Sequence, residues 1–281
     1  MLGSPFRILC TGDVHLGRRP SRVPIEEEQL SVEYVWKSFV EAAINQAVDA
    51  VVLTGDLVDT ENKMYEALEP LERGLQRLLN ETIPVVAVAG NHDFDVFPGL
   101  VGSIEDDNFH LLGQGGTWDE VTVSRADGSP VRFVGWSFPD ASVPRSPLDG
   151  ADMDSSPEPT VGVLHCDAGR SAGHYAPVER NVLARAPVDA WLLGHIHKPT
   201  EHRKNGQLQL YPGSLQPLDP GETGMHGAWL VEVGKTDIQA HPVSLATLRY
   251  ARLSVDVTDK DDIDAVKDGV MGTLRIKSRC R

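Results

Sequence analysis

The chain has 281 residues, enough for one domain with a sizeable core, or a domain and a small appendage, and its 41% hydrophobic and 24% charged residues are ordinary for a soluble globular protein. With 41 acidic against 26 basic residues the formal net charge is −15, which excludes holding nucleic acid by bulk charge and leaves a local patch, bound metal ions or a partner subunit for that purpose. Cys10, Cys166 and Cys280 are dispersed and make neither a disulfide framework nor a CxxC zinc site, the start lacks a signal-peptide pattern, and no apolar run approaches the ~20 residues that span a bilayer, so a soluble cytoplasmic protein without membrane association is expected.

In chain order, Phe6 to Thr11 reads as a strand ending at Gly12-Asp13. From Ser31, a plausible N-cap, to Val48, apolar residues at Val32, Val35, Trp36, Phe39, Val40 and Ala43 recur at helical spacing. Asp49 to Thr54 is a second strand, again followed by Gly-Asp. Met64 to Asn80 is an amphipathic helix interrupted by Pro70, and Pro84 to Ala89 is a third strand ending at Gly90-Asn91-His92-Asp93. This alternation predicts parallel strands with crossover helices. The second half reads differently. Trp118–Arg125 and Val131–Phe138 flank an Asp127-Gly128 turn as a hairpin, residues 140–159 form a Pro-, Ser- and Asp-rich loop, and strands follow at 160–164, 190–193, 207–211, 228–233 and 238–242. Two stacked sheets with helices outside accommodate both halves. From Thr247 to the end the pattern is strand (251–257), helix (259–270), strand (273–276), the beginning of a small α+β unit that is truncated or packs on the main domain.

Five motifs fall at predicted strand ends: Gly12-Asp13-Val14-His15, Gly55-Asp56-Leu57-Val58-Asp59, Gly90-Asn91-His92-Asp93, Leu164-His165 and Gly194-His195-Ile196-His197. Strand C-termini are where open α/β sheets bind ligands. Mixed carboxylate, amide and imidazole donors suit borderline to hard divalent ions such as Mn²⁺, Fe²⁺, Zn²⁺ or Mg²⁺. The donors outnumber the positions around one ion, so two ions are the economical reading, and a two-metal site serves in-line phosphoryl displacement. Each motif alone is more often a turn or a satisfied structural residue; all five in order are hard to produce by chance.

In this order, Asp-x-His, Gly-Asp-x-x-Asp, Gly-Asn-His-Asp, His and Gly-His-x-His resemble the calcineurin-like metallophosphoesterases over roughly Phe6 to Val243. The resemblance implies a four-layer αββα sandwich of two mixed sheets. It also implies that Asp13, His15, Asp56 and His197 hold one ion, and that Asp56, Asn91, His165 and His195 hold a second. His92 would be general acid or charge stabiliser, oriented by Asp93, and Asp59 would hold a ligand imidazole. Asp13-Val14-His15-Leu16-Gly17, the Gly194-His195-Ile196-His197 stretch and the segments Tyr211–Pro217, Glu222–Gly224 and Gly227–Val233 are similar to the SbcD-type DNA-repair nucleases, and Gly173–Pro177 resembles the YhaO-like subgroup. That branch implies a Mn²⁺-dependent DNA exonuclease or endonuclease using a metal-bridging hydroxide, an SbcC-like ATPase partner and a homodimeric assembly. A phosphodiesterase or phosphatase acting on small molecules or nucleotides shares the metal core and stays open. The expected organisation is a nuclease domain over 1–246 and an incomplete capping segment over 247–281. Arg18, Arg19 and His174 are candidates to touch substrate, with a solvated turn or a loop role as the alternative. Cys166, beside His165, reads as a small buried residue rather than a nucleophile.

Overall fold

The structure is a computed structural model that describes residues 4–23, 27–59, 64–125, 127–235, 237–258, 260 and 262–278; Cys280 lies outside them. The three apolar runs of the first half become β1 (Phe6–Thr11), β2 (Ala50–Leu53) and β3 (Val85–Ala87), paired in parallel as predicted. Their near-continuous Val, Ile and Leu content fits strands covered on both faces. β4 (Phe109–Leu111) extends this sheet on one side, and β13 (Gly227–Val233) and β14 (Ile238–Ser244) extend it antiparallel on the other, giving the order β14-β13-β1-β2-β3-β4.

The second sheet repeats this plan. β5 (Asp119–Ser124) and β6 (Pro130–Trp136) are the predicted hairpin. β6, β7 (Thr160–His165), β10 (Ala190–Gly194) and β12 (Gln207–Tyr211) run parallel, and β11 (Thr200–Lys204) closes the edge antiparallel. A two-stranded pair, β8 (Asp167–Ala168) with β9 (Pro177–Val178), lies between β7 and β10 in sequence.

Inward side chains of both sheets, among them Ile8, Val52, Val86, Phe133, Val163 and Leu192, fill one buried layer. α1 (Val32–Asn45) and α2 (Met64–Asn80) cover the outer face of the first sheet through Trp36, Phe39, Leu71, Leu75 and Leu78. Ser31 caps α1, its hydroxyl accepting from Tyr34 N–H at 3.1 Å. α2 keeps Pro70 in its interior because tertiary packing outweighs the lost hydrogen bond: Trp36 Nε1–H donates to the Pro70 carbonyl at 2.9 Å, and the leucines that follow are buried. The outer face of the second sheet is covered more thinly, by the short α4 (Arg180–Leu183) and by loop residues such as Phe138 and Val188; α3 (Phe97–Val101) follows the third motif. The result is an αββα sandwich of two mixed six-stranded sheets. Among the described residues no helix is long and apolar enough to cross a membrane.

The C-terminal region departs from the sequence reading. Residues 251–257 join no sheet, and one helix, α5 (Ile263–Ser278), runs through the segment expected as a strand at 273–276. The alternation of Leu253 and Val255 with polar neighbours fits a strand, but a strand needs a partner for its backbone, and residues 251–257 pair with neither sheet. A helix satisfies its own backbone, and Gly272 costs it only ~1 kcal/mol.

Candidate metal centre

Because β1, β2 and β3 are mutually parallel, and β7 and β10 are too, the loops after these strands gather at one end of the sandwich. The first two loops are zipped by backbone hydrogen bonds: Asp13 N–H to Gly55 O at 3.0 Å, His15 N–H to Asp56 O at 3.0 Å and Leu16 N–H to Leu57 O at 2.8 Å. Asp13, His15, Asp56 and His195 adopt positive φ (48°, 50°, 52° and 97°). Each such non-glycine conformation costs on the order of 1–3 kcal/mol and persists only where the surroundings over-determine it. Two glycines make room: a Cβ on Gly90 would lie 2.2 Å from Asp56 Oδ1, and one on Gly194 would lie 2.0 Å from Thr54 O.

Three sets of donor atoms converge: Asp13 with His15 and His197, Asp13 with Asp56 and His165, and, towards the rim, His15 with Asp59 and His92. His15 Nε2 and His197 Nε2 face each other at 3.3 Å, and His197 Nε2 is 3.8 Å from Asp13 Oδ1. His165 Nε2 is 3.3 Å from Asp56 Oδ2 and 3.1 Å from Asn91 Oδ1, while its Nδ1 is 3.0 Å from the Thr54 carbonyl. The His195 ring packs against that of His165 with centroids 5.4 Å apart, and its backbone N–H donates to both Asp13 oxygens at 3.1 and 3.2 Å. Asp13, His15, Asp56, Asn91 and His165 are buried; His195 and His197 are half-buried. All seven side chains expected as ligands therefore share one cluster.

Its electrostatics are those of carboxylates and imidazoles crowded together out of water. Burial pushes the Asp13 carboxyl up, against the pull of the neighbouring His165 and His197. Burial also opposes charge on Asp56, but the His165 charge and hydrogen bond outweigh it and hold this carboxyl well below the usual range. Burial alone would depress His165, yet the Asp56 carboxylate beside it lifts it to about 9. His195 is pushed down to about 3 by burial and then by the His165 charge, which keeps its imidazole neutral. Carboxylates and imidazoles buried this densely, with ring nitrogens aimed at each other, fit divalent cations in the gaps between them. His15 Nδ1, on the side of the ring away from His197, is buried 3.5 Å from Asp59 Oδ2 without a hydrogen bond.

His92 stands at the rim with its side chain 40% exposed. Its backbone N–H donates to Asp56 Oδ1 at 2.8 Å. Asp93 does not orient its ring, contrary to expectation. The Asp93 carboxylate is fully buried and accepts the Gly90 and Leu57 N–H groups, each at 2.7 Å, so it fastens the third loop to the second. Adjacent residues in a turn point apart, and the carboxylate near His92 Nδ1 is Asp59, at 3.8 Å. Asp59 also faces His15 and, at 3.5 Å, Arg18 Nη1. Of the other candidates, Arg18 is half-buried at the cluster, Arg19 is exposed, and His174 is exposed, its carbonyl accepting Val143 N–H at 2.7 Å.

Three further neighbours complete the surroundings, Tyr175 from the Gly173–Pro177 segment and Glu222 and Phe138, to which sequence reading gave no role at the cluster. Glu222 Oε1 accepts from His197 Nδ1 at 2.9 Å, Tyr175 packs on His195 at 4.8 Å and Phe138 meets His165 edge-on at 5.5 Å. Glu222 stood in a segment, Glu222–Gly224, that carried the family resemblance, but nothing in the sequence gave it a partner. Cys166 is buried, and burial pushes its thiol up to about 12, so it is no nucleophile near neutral pH.

A family model described as calcineurin-like phosphoesterase matches residues 6–199. The chain is 27% identical over 241 residues to an uncharacterized metallophosphoesterase of Bacillus subtilis, YhaO, covering 85% of this chain and 58% of that protein. It is 28% identical over 276 residues to the DNA double-strand break repair protein Mre11 of Haloferax volcanii, covering 94% and 58%. The chain thus spans less than two thirds of the length of these relatives. Among solved structures, a dimetal phosphatase from Danio rerio superposes with a TM-score of 0.50 at 14% identity, over 89% of this chain and all of that one, a likeness of fold.

Proposed function

Because the chain belongs to the calcineurin-like phosphoesterase family, we propose that it is a metal-dependent phosphodiesterase whose substrate is DNA. The observation that carries the metal-dependent part is the convergence of the Asp13, His15, Asp56, His165 and His197 donor atoms, with Asn91 and His195 packed against His165. Asp13, His15, Asp56 and His197 would hold one divalent ion, and Asp56, Asn91, His165 and His195 the other. Two ions there would supply Lewis-acid charge to a phosphoryl oxygen and lower the pKa of water.

The chain's own groups do the rest. His92, at the open rim beside the cluster, hydrogen-bonds or protonates the departing oxygen. Asp59, between His15 and His92, holds both rings in place. Arg18, ion-paired with Asp59, presents positive charge beside the substrate phosphate. Mn²⁺ is the ion we assign, and the activity is that of a cytoplasmic repair nuclease, exonucleolytic or endonucleolytic, with an SbcC-like ATPase partner and a homodimeric form. Residues 1–246 form the nuclease unit, and residues from 247 begin a capping segment.

Support for DNA comes from the relative named for double-strand break repair, which aligns over 94% of this chain. The net charge of −15 favours a second reading, a small or nucleotide diester, since little bulk charge draws a polyanion to the site. A hydrolysis assay with Mn²⁺ separates them, comparing labelled single- and double-stranded DNA with bis-p-nitrophenyl phosphate. Cleavage of DNA by the wild type, absent in His92→Ala, is the expected result. Cleavage of the small diester alone would sink the DNA assignment and leave the metal centre standing.

A further inference from the structure

Glu222 lies on the loop between β12 and β13 with its side chain 14% exposed, and both its oxygens are engaged. Oε1 accepts from His197 Nδ1 at 2.9 Å. Oε2 accepts the Ser214 hydroxyl at 2.8 Å and the Leu218 N–H at 3.1 Å. Ser214 is fully buried, and its Oγ lies 3.0 Å from Nδ1 of the buried His226. The same loop is tied at two further points: Gln216 exchanges hydrogen bonds with Thr247 at 3.0 and 3.1 Å, and Thr223 bridges to Tyr250. The Glu222 carboxylate is thus anchored by its own loop before it meets His197.

We propose that Glu222 is the positioning residue for His197: by accepting the Nδ1–H it fixes the tautomer and ring angle that aim Nε2 at Asp13 and His15. The inference rests on the two-metal reading above and assigns Glu222 to one of the two ion positions. His197 needs such a brace more than His165 does. Its side chain is 29% exposed, whereas His165 is enclosed and held by the Thr54 carbonyl. His15, on the other side of the same ion position, has Asp59 beside its Nδ1 in the matching place. An imidazole whose distal nitrogen donates to a carboxylate keeps a lone pair on the ligating nitrogen and gains basicity, and losing such a partner typically weakens metal affinity ~10–100-fold.

The test is calorimetric titration of Mn²⁺ into the metal-free full chain near neutral pH, for the wild type, Glu222→Ala and Glu222→Gln, with the melting temperature of each metal-free protein measured alongside. Two sites are expected in the wild type. In Glu222→Ala one site weakens by about 10–100-fold and the other holds to within about twofold. Glu222→Gln falls between, roughly three- to tenfold weaker at the same site, because its amide oxygen still accepts the Nδ1–H while its NH₂ meets the Leu218 N–H. Wild-type affinity at both sites in Glu222→Ala, or equal weakening of both, would overturn the proposal; equal weakening is what a merely structural role produces. If Glu222→Ala does not fold, Glu222→Gln decides by the same single-site criterion, and wild-type binding overturns the proposal. A wild type with fewer than two sites removes the two-metal premise itself, and that failure is visible before any variant is compared.

Discussion

Gly90→Ala puts one methyl group where the centre has no room. The new Cβ would stand 2.2 Å from Asp56 Oδ1 and 2.8 Å from both Cγ and N of Asp56. Ordinary carbon–oxygen contacts begin at roughly 3.3 Å, so the carboxylate has to retreat by about 1 Å. It is held by the His92 N–H at 2.8 Å on one oxygen and by His165 Nε2 at 3.3 Å on the other. Retreat breaks the charged hydrogen bond from the His92 backbone N–H, worth ~1.5–3 kcal/mol, and displaces a carboxylate that would hold metal. A misplacement of about 1 Å in a reacting constellation costs ~10²-fold in rate. The assay is hydrolysis of bis-p-nitrophenyl phosphate with Mn²⁺, with urea unfolding to read stability. Gly99→Ala, where a Cβ meets nothing within 4 Å, is the control and is expected to behave as wild type. Wild-type turnover in Gly90→Ala would refute the argument that this glycine exists to let Asp56 through.

Metal binding should release protons. In the metal-free protein the Asp56 carboxylate lifts His165 from its ordinary 6.5 to about 9 against the effect of burial, so this pair stabilises the fold fully below pH 6.5 and the contribution is lost as pH rises through about 9. A ligating imidazole is neutral, so Mn²⁺ uptake within that window expels a proton and affinity climbs with pH; calorimetry in two buffers of different ionisation heat measures it, and an identical heat in both would contradict the assignment. Trp36→Ala removes a fully packed indole that stacks on Phe39 at 5.5 Å and should cost ~3–5 kcal/mol in urea unfolding without changing metal affinity. A loss below about 1 kcal/mol would mean that the α1–α2 layer repacks freely. Asp59→Asn removes the charge between His15 and His92 and should lower turnover by about tenfold or more while the protein still takes up metal; unchanged turnover would show that the carboxylate has no orienting part.

What could be read from sequence was what is local. Gly-Asp, Gly-Asn-His and Gly-His-x-His follow directly on strands whose apolar runs announce them, and parallel pairing then brings the strand ends together. Pairing between loops was not legible. Asp93 stands next to His92 in the chain and was expected to orient it, but its carboxylate is spent on backbone N–H groups, and Asp59 from the preceding loop takes the position beside the ring. Glu222 reaches His197 only because the β12–β13 loop folds back, a tertiary fact without periodic signal. β11, Thr-Glu-His-Arg-Lys, escaped because a charged edge strand carries little apolar pattern; those charges also discourage pairing with other chains. At 251–257 the opposite happened: alternation is present, but the segment pairs with neither sheet.

The most direct test of the central claim is to measure metal content and diester hydrolysis together, on wild type and His92→Ala loaded with Mn²⁺. The expected result is two ions per chain in both proteins, with turnover in the variant lower by ~10²–10³, because His92 stabilises the departing oxygen and is not a ligand. Fewer than two ions in the wild type, or a fully active His92→Ala, would contradict the account.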